Sequence, residues 1–310
     1  ALNMALHGFL KPGDHVIATA ADHNATLRPL HSLFSQGVIE LDIAPCNDAG
    51  DVDYQAISSM WKPSTRLLTC SHASNVSGSL QDAQAMAKIA HANGGVFLLD
   101  AAQTFGHLRH EDFACIDADI VVAPAHKWLL GPLGVGFLYV RPEIDIRPLV
   151  QGGTGSQSDT LDMPDKFPDR LEAGTLDLPA IAGMVAAIEW LESQPLSRVA
   201  RHCRDLAHNC AQRLADISGI RVISAAMADS SEHYAPIVSF VIDGFDANDA
   251  AVVLEQVAGV QVRSGFHCAA KIHEFLGTLA SGTVRASFGP FNTVDDVDAV
   301  IQVVKQLVVG

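Results

Sequence analysis

The sequence predicts an α/β protein: a large domain with a mainly parallel sheet sandwiched by helices, followed by a smaller C-terminal α+β domain. Through residues 1–145, apolar runs of strand length alternate with segments of helical periodicity, the pattern of a sheet crossed repeatedly by helices. Runs such as Val96-Phe-Leu-Leu-Asp100 are apolar throughout, as expected of strands covered on both faces. A chain of 310 residues with 48% hydrophobic content can bury two cores. The expected division is 1–190 and 191–310.

The elements follow in order. Residues 1–10 are apolar at helical spacing and stop at Pro12-Gly13, so they predict a packed helix. A strand is expected at 15–19, a helix at about 25–35, a strand at 38–44, a helix at 53–60 and a strand at 66–71. A helix over 82–92 ends at Asn93-Gly-Gly95, and strands follow at 96–100, 119–123 and 135–140. Residues 151–170, rich in Gly, Ser and Pro, are too long for a turn and predict a functional or dimer loop. Beyond a helix at 179–193, the second domain is expected to hold helices at 196–217, 247–257 and 294–307. Its strands are expected near 220–224, 236–242, 260–263 and 283–287.

Composition excludes several classes. With 20 Lys and Arg against 35 acids and a formal charge of −15, the chain lacks the basic face that nucleic acid or an acidic membrane requires. No apolar run approaches the roughly 20 residues that span a bilayer. The opening apolar run has no basic leader, so nothing marks export and a cytoplasmic location is expected. Six cysteines without a Cys-x-x-Cys do not make a disulfide framework or a zinc site. Five read as small apolar core residues, and His107 and His110 as structural or solvated rather than metal ligands.

Chemistry concentrates at Lys127, set in a tight loop between two apolar strand-like runs. Lost hydration there favours the neutral amine, the form that Schiff-base chemistry needs. Asp100 closes another strand at the edge where open α/β sheets bind ligands. A lysine together with an aspartate facing a pyridinium nitrogen is the arrangement of a pyridoxal phosphate enzyme.

The stretches Ala21-Asp-His-Asn24, Ser74-Asn-Val-Ser-Gly78, Leu99-Asp-Ala-Ala-Gln103, Ala125-His-Lys127, Leu171-Glu-Ala-Gly-Thr175, Val262-Arg-Ser-Gly-Phe-His-Cys268 and Thr283-Val-Arg285 span nearly the whole chain. In this order they resemble the class V aminotransferases, fold-type I pyridoxal phosphate enzymes, and within them the cysteine desulfurases. The resemblance implies pyridoxal 5'-phosphate held by Lys127, with Asp100 at the ring nitrogen. It implies Gln103 at the phenolate oxygen, His126 at the phosphate, His23 stacked on the ring and Asn75 beside the phenolate oxygen and substrate carboxylate. Thr175 would cross to the neighbouring subunit's phosphate, so a homodimer is expected. Pro124 departs from the family, which often has a phosphate-binding serine there. In the resembled family a sizeable segment precedes the first helix and supplies a phosphate-binding threonine, and the sequence here begins after it.

Cys268 separates a desulfurase from an aminotransferase, and Arg263, His267 and a following helix start are expected to favour its thiolate. The substrate-binding candidates are Arg285, whose planar fork suits an α-carboxylate, Asn75 and Arg263. The reading is conversion of L-cysteine to L-alanine, with sulfur passing through a Cys268 persulfide to an acceptor protein. A class V aminotransferase, a selenocysteine lyase and a non-catalytic truncated protein of the same fold remain alternatives.

Overall fold

The computed structural model describes residues 1–108, 113–227 and 234–309. The first sheet contains β1 (His15–Thr19), β2 (Glu40–Ala44), β3 (Thr65–Ser71), β4 (Val96–Asp100), β5 (Ile120–Pro124) and β6 (Gly136–Val140). Their order is β2-β1-β3-β4-β5-β6, parallel except for β6, which runs antiparallel to β5. β1 and β4 are buried along their full length, as their unbroken apolar runs require.

Helices α1 (Leu2–Phe9), α2 (Asn24–Ser35), α3 (Tyr54–Met60) and α4 (Ala83–Ala92) accompany this sheet. Two apolar clusters form its core: one centres on Leu68, Met86, Phe97 and Leu99, the other on Leu6, Leu30, Leu67 and Leu98. Asp53 and Asp82 cap α3 and α4 by accepting from backbone N–H groups. β2 starts two residues later than its apolar run predicts. Val38 N still donates to Leu33 O, so that residue closes the end of α2 instead of joining the sheet.

After α5 (Leu178–Ser193) and α6 (Leu196–Ala215), a second sheet is built from β7 (Ile220–Ile223), β8 (Ile237–Ile242), β9 (Arg263–Gly265) and β10 (Thr283–Ser287). It is antiparallel, in the order β7-β8-β10-β9. Helices α6, α7 (Ala247–Ala258) and α9 (Val294–Val309) flank it, and their apolar faces meet the sheet around Leu214, Phe240, Leu254 and Val304. The strand expected at 260–263 lies instead at 263–265. Gly259 caps α7 in the left-handed region and Val260 N donates back to Leu254 O, so sheet pairing begins only at Arg263.

The loop after β3 joins the two sheets through its main chain. Four successive carbonyls following β3 accept hydrogen bonds from the second sheet's side: Asn75 O from Arg285 Nη1 (2.8 Å), Val76 O from Ser239 Oγ (2.6 Å), Ser77 O from Ala225 N (2.7 Å) and Gly78 O from Ala235 N (2.8 Å). Gly78 sits at φ +77°, and a Cβ there would lie 2.9 Å from Ala235 O. Only glycine fits that approach.

Among the described residues, no helix is long and apolar enough to cross a membrane. Among them too, no group of three or more His, Cys, Asp or Glu could hold a metal ion. His110 lies outside the described residues. Cys46, Cys70, Cys203 and Cys210 are buried as expected of small apolar residues, whereas Cys115 is exposed.

Candidate active site

The site lies at the carboxyl ends of β1, β3, β4 and β5, beside the point where the strand order reverses between β1 and β3. Asp22, fully buried, clamps that crevice. Its carboxylate accepts from Thr19 N at the end of β1 (2.8 Å) and from Ser71 N at the end of β3. Burial foremost, with the nearby Asp100 adding to it, pushes the Asp22 carboxyl up to about 7 against those two hydrogen bonds.

A cavity of about 1450 Å³ opens above these strand ends. His23, Asn75, Asp100, Gln103, His126, Lys127, Arg263, Cys268 and Arg285 all line it. Lys127 and Asp100 therefore face the same space as the thiol, although they come from three separate segments. Thr175 does not line the cavity; it is exposed, beside the cavity-lining Leu176. Pro124, at the end of β5, contributes wall and no hydroxyl.

Each side chain is set by local structure. Burial lowers the Lys127 pKa from its ordinary value and shifts it toward the neutral amine; Asp100 opposes this, while Arg285 and Arg263 reinforce it. Asp100 closes β4 and accepts from Ala102 N (3.0 Å), and burial raises its pKa against that bond and against Lys127. Among the described residues this carboxyl has the Ala102 N–H as a donor and the Lys127 charge nearby, and a protonated pyridine nitrogen would add a direct cationic partner. Gln103 accepts from Trp128 Nε1 through its Oε1 (3.3 Å), so its amide N–H groups remain for donation.

His23 is the N-cap of α2, its Nδ1 accepting from Ala25 N (3.0 Å). The neutral ring then carries its proton on Nε2. Burial, and after it the charges of Lys127, Arg263 and Arg285, push His23 down to about 4, so the ring is neutral at pH 7. Arg285 donates through Nη1 to Asn75 O, but its buried Nε has no partner among the described residues. Burial and Arg263 bring its guanidinium down to about 10, still a cation. These features fit pyridoxal phosphate and an amino acid: a buried amine, a buried carboxyl, and a guanidinium, all lining one cavity.

Cys268 occupies a tight turn in which both His267 (φ 50°) and Cys268 (φ 58°) are left-handed. Arg263 Nη2 stands 3.5 Å from its Sγ. The other two expected supports of the thiolate fail. Burial pushes His267 down to about 3, so it is neutral, and α8 (Ile272–Phe275) is a single turn that begins beyond the cysteine. Asn75, expected beside the phenolate oxygen and carboxylate, donates through Nδ2 to His267 O (2.7 Å). Three contributors carry no assignment from the sequence: the Asn24 N–H, which donates to Cys268 O (2.7 Å), Trp128, and Thr283. Thr283 stands in the motif that marks Arg285, but only its neighbour's charge suggests chemistry.

The family model for class V aminotransferases matches residues 1–300. The chain belongs to the class V aminotransferase family. Pyridoxal phosphate dependence is a property of that family. The chain is 32% identical over 99% of its length to a protein of Methanothermobacter thermautotrophicus described as a probable cysteine desulfurase, and spans 76% of it. It is 32% identical to the Escherichia coli cysteine desulfurase CsdA, covering 95% of this chain and 72% of the relative. Of a Mycobacterium leprae relative with the same description, 31% identical, it spans only 50%.

Among solved structures, CsdA in its S-sulfonic acid form superposes with a TM-score of 0.89 at 29% identity, over 98% of this chain and 75% of that one. The apo cysteine desulfurase of Thermococcus onnurineus gives 0.87 at 29% identity, over 100% and 77%. The mainly parallel sheet flanked by helices is thus the fold-type I architecture of cysteine desulfurases.

Proposed function

We propose that this chain is a pyridoxal phosphate-dependent cysteine desulfurase that converts L-cysteine to L-alanine and passes the sulfur, as a Cys268 persulfide, to an acceptor protein. The observation that carries the reading is the convergence of Lys127, Asp100, Arg285 and Cys268 on one cavity. Lys127 would hold the cofactor's aldehyde carbon, Asp100 its ring nitrogen, Gln103 its phenolate oxygen, and His126 its phosphate. When bound, the cofactor supplies an electron sink for the substrate's α-carbon.

The chain's residues do the rest. Arg285, which lines the cavity, grips the α-carboxylate with the guanidinium edge not used on Asn75 O. Lys127 Nζ, disposed toward the neutral amine, takes the proton from Cα and returns protons to the carbon skeleton. The Cys268 thiolate, beside Arg263, attacks the substrate sulfur. The S–S bond forms as the Cβ–S bond breaks, and the electron pair left on Cβ takes a proton to complete alanine. L-cysteine and the enzyme thiol thus give L-alanine and the persulfide with no outside oxidant or reductant. His23, neutral with its proton on Nε2, would stack on the cofactor ring and carry a proton across its face.

Thr175 is exposed outside its own chain's cavity, which suits a phosphate contact made across a homodimer. The test is borohydride reduction of the chain incubated with pyridoxal phosphate, followed by peptide mapping, with alanine release measured for Cys268→Ala. The expected result is a label on Lys127 and loss of alanine release with the label retained. A label on another lysine, or full activity of the variant, would overturn the proposal.

A further inference from the structure

The turn that presents Cys268 is unfavourable in isolation. Two consecutive non-glycine residues in the left-handed region are uncommon, and while histidine is among the types that tolerate it, cysteine is not. Such a turn persists only where its surroundings over-determine it. Here His267 O is held by Asn75 Nδ2 (2.7 Å) and Cys268 O by Asn24 N (2.7 Å), both from the large sheet's loops. Ala269 N closes the turn onto Phe266 O (2.9 Å).

Those contacts, with His273 Nε2 3.3 Å from Phe266 O, fix the main chain. A further anchor is a side chain. His267 is 2% exposed, and its Nε2 shares a hydrogen bond with Oγ1 of Thr283 (2.8 Å), itself fully buried at the start of β10. Its other nitrogen, Nδ1, is buried without a partner among the described residues. A ring in that setting, inside and bonded to a hydroxyl, is neither a proton shuttle nor a charge for the neighbouring thiol.

We infer that His267 and Thr283 are positioning residues for the sulfur-accepting step: their side-chain hydrogen bond locks the left-handed turn and keeps the Cys268 thiol against Arg263 and over the substrate. The inference rests on Cys268 being the sulfur acceptor, and it assigns to the ring a mechanical role. Two residues beyond Thr283 on the same strand stands Arg285, so one short strand sets both the carboxylate grip and the thiol.

The test uses the cofactor-loaded protein and its Thr283→Val variant, which removes the hydroxyl at nearly constant volume. Iodoacetamide labelling is followed by mass spectrometry at Cys268, with the exposed Cys115 as internal reference. Loss of one buried hydrogen bond should raise Cys268 labelling relative to Cys115 by about tenfold, as the turn opens, and lower kcat for alanine formation by a similar factor. KM for L-cysteine should stay unchanged, and Thr283→Ser should restore both values. Should the valine variant not fold, Thr283→Ala makes the same deletion. Unchanged labelling with unchanged kcat, or a raised KM with unchanged labelling, would overturn the inference. A labelling increase in a protein that makes no alanine would support the lock while removing the proposed function.

Discussion

Replacing Arg285 with lysine tests how the site grips its substrate. In the folded chain, one guanidinium nitrogen donates to Asn75 O, and the Arg285 side chain lines the cavity. The fork can therefore hold the loop with one edge and a carboxylate with another. A lysine ammonium is a single point and cannot do both. At least one charge-assisted hydrogen bond is lost, worth about 1.5–3 kcal/mol, which corresponds to about a 10- to 150-fold fall in kcat/KM. The fall should appear mainly in KM, because a carboxylate contact made equally before and during reaction is uniform binding. The assay is alanine formation against L-cysteine concentration with a thiol acceptor in excess. Arg285→Lys with kcat/KM within about twofold of wild type would refute the assignment.

Acid should destabilise the fold steeply. His107 and His267 are both pushed by burial to about 3 in the folded chain, so below the unfolded value near 6.5 only the unfolded state takes up their protons. Their contribution is complete above that pH and is lost as pH falls, at up to about 3 kcal/mol per pH unit for the two rings between roughly pH 6 and 4. Urea midpoints should be flat above pH 7 and drop below 6; no drop by pH 5 would contradict it. Gly78→Ala, forced into the left-handed region against Ala235 O, should cost about 2–3 kcal/mol or more, seen as a lowered melting temperature. Ser239→Ala leaves the buried Val76 carbonyl without that donor and should cost about 1–3 kcal/mol in urea unfolding.

The central strands β4 and β5 are legible in the sequence because their apolar runs are long and nearly unbroken. Lys127 and Asp100 stand out against the same runs: a charge closing a buried strand loses hydration, and only a partner or a ligand offsets that loss. β9 is misplaced by the sequence pattern because Val260 and Val262 have strand character, and only the helix cap at Gly259 decides where pairing starts. The role expected of His267 fails because composition shows a histidine next to a cysteine but not its burial, and burial decides the charge. Cys115 groups with the core cysteines in the sequence because a side chain's exposure depends on contacts from distant segments. Thr283 escapes notice since a hydroxyl becomes informative only when its partner, 16 residues away in sequence, is seen beside it.

The junction after β3 is written in main-chain oxygens, and so it carries no side-chain information at its receiving end. The acceptors at residues 76 and 77 are main-chain atoms that every residue carries, whereas the donors Ser239 and Arg285 cannot be exchanged without breaking the joint. Prising the second sheet from the first would break these four adjacent bonds together, along with those from Asn75 Nδ2 and Asn24 N to the cysteine turn, so a hinge motion there would need to be all or nothing. Turnover is then left to movements smaller than a domain, at the scale of a few side chains around a locked cysteine turn.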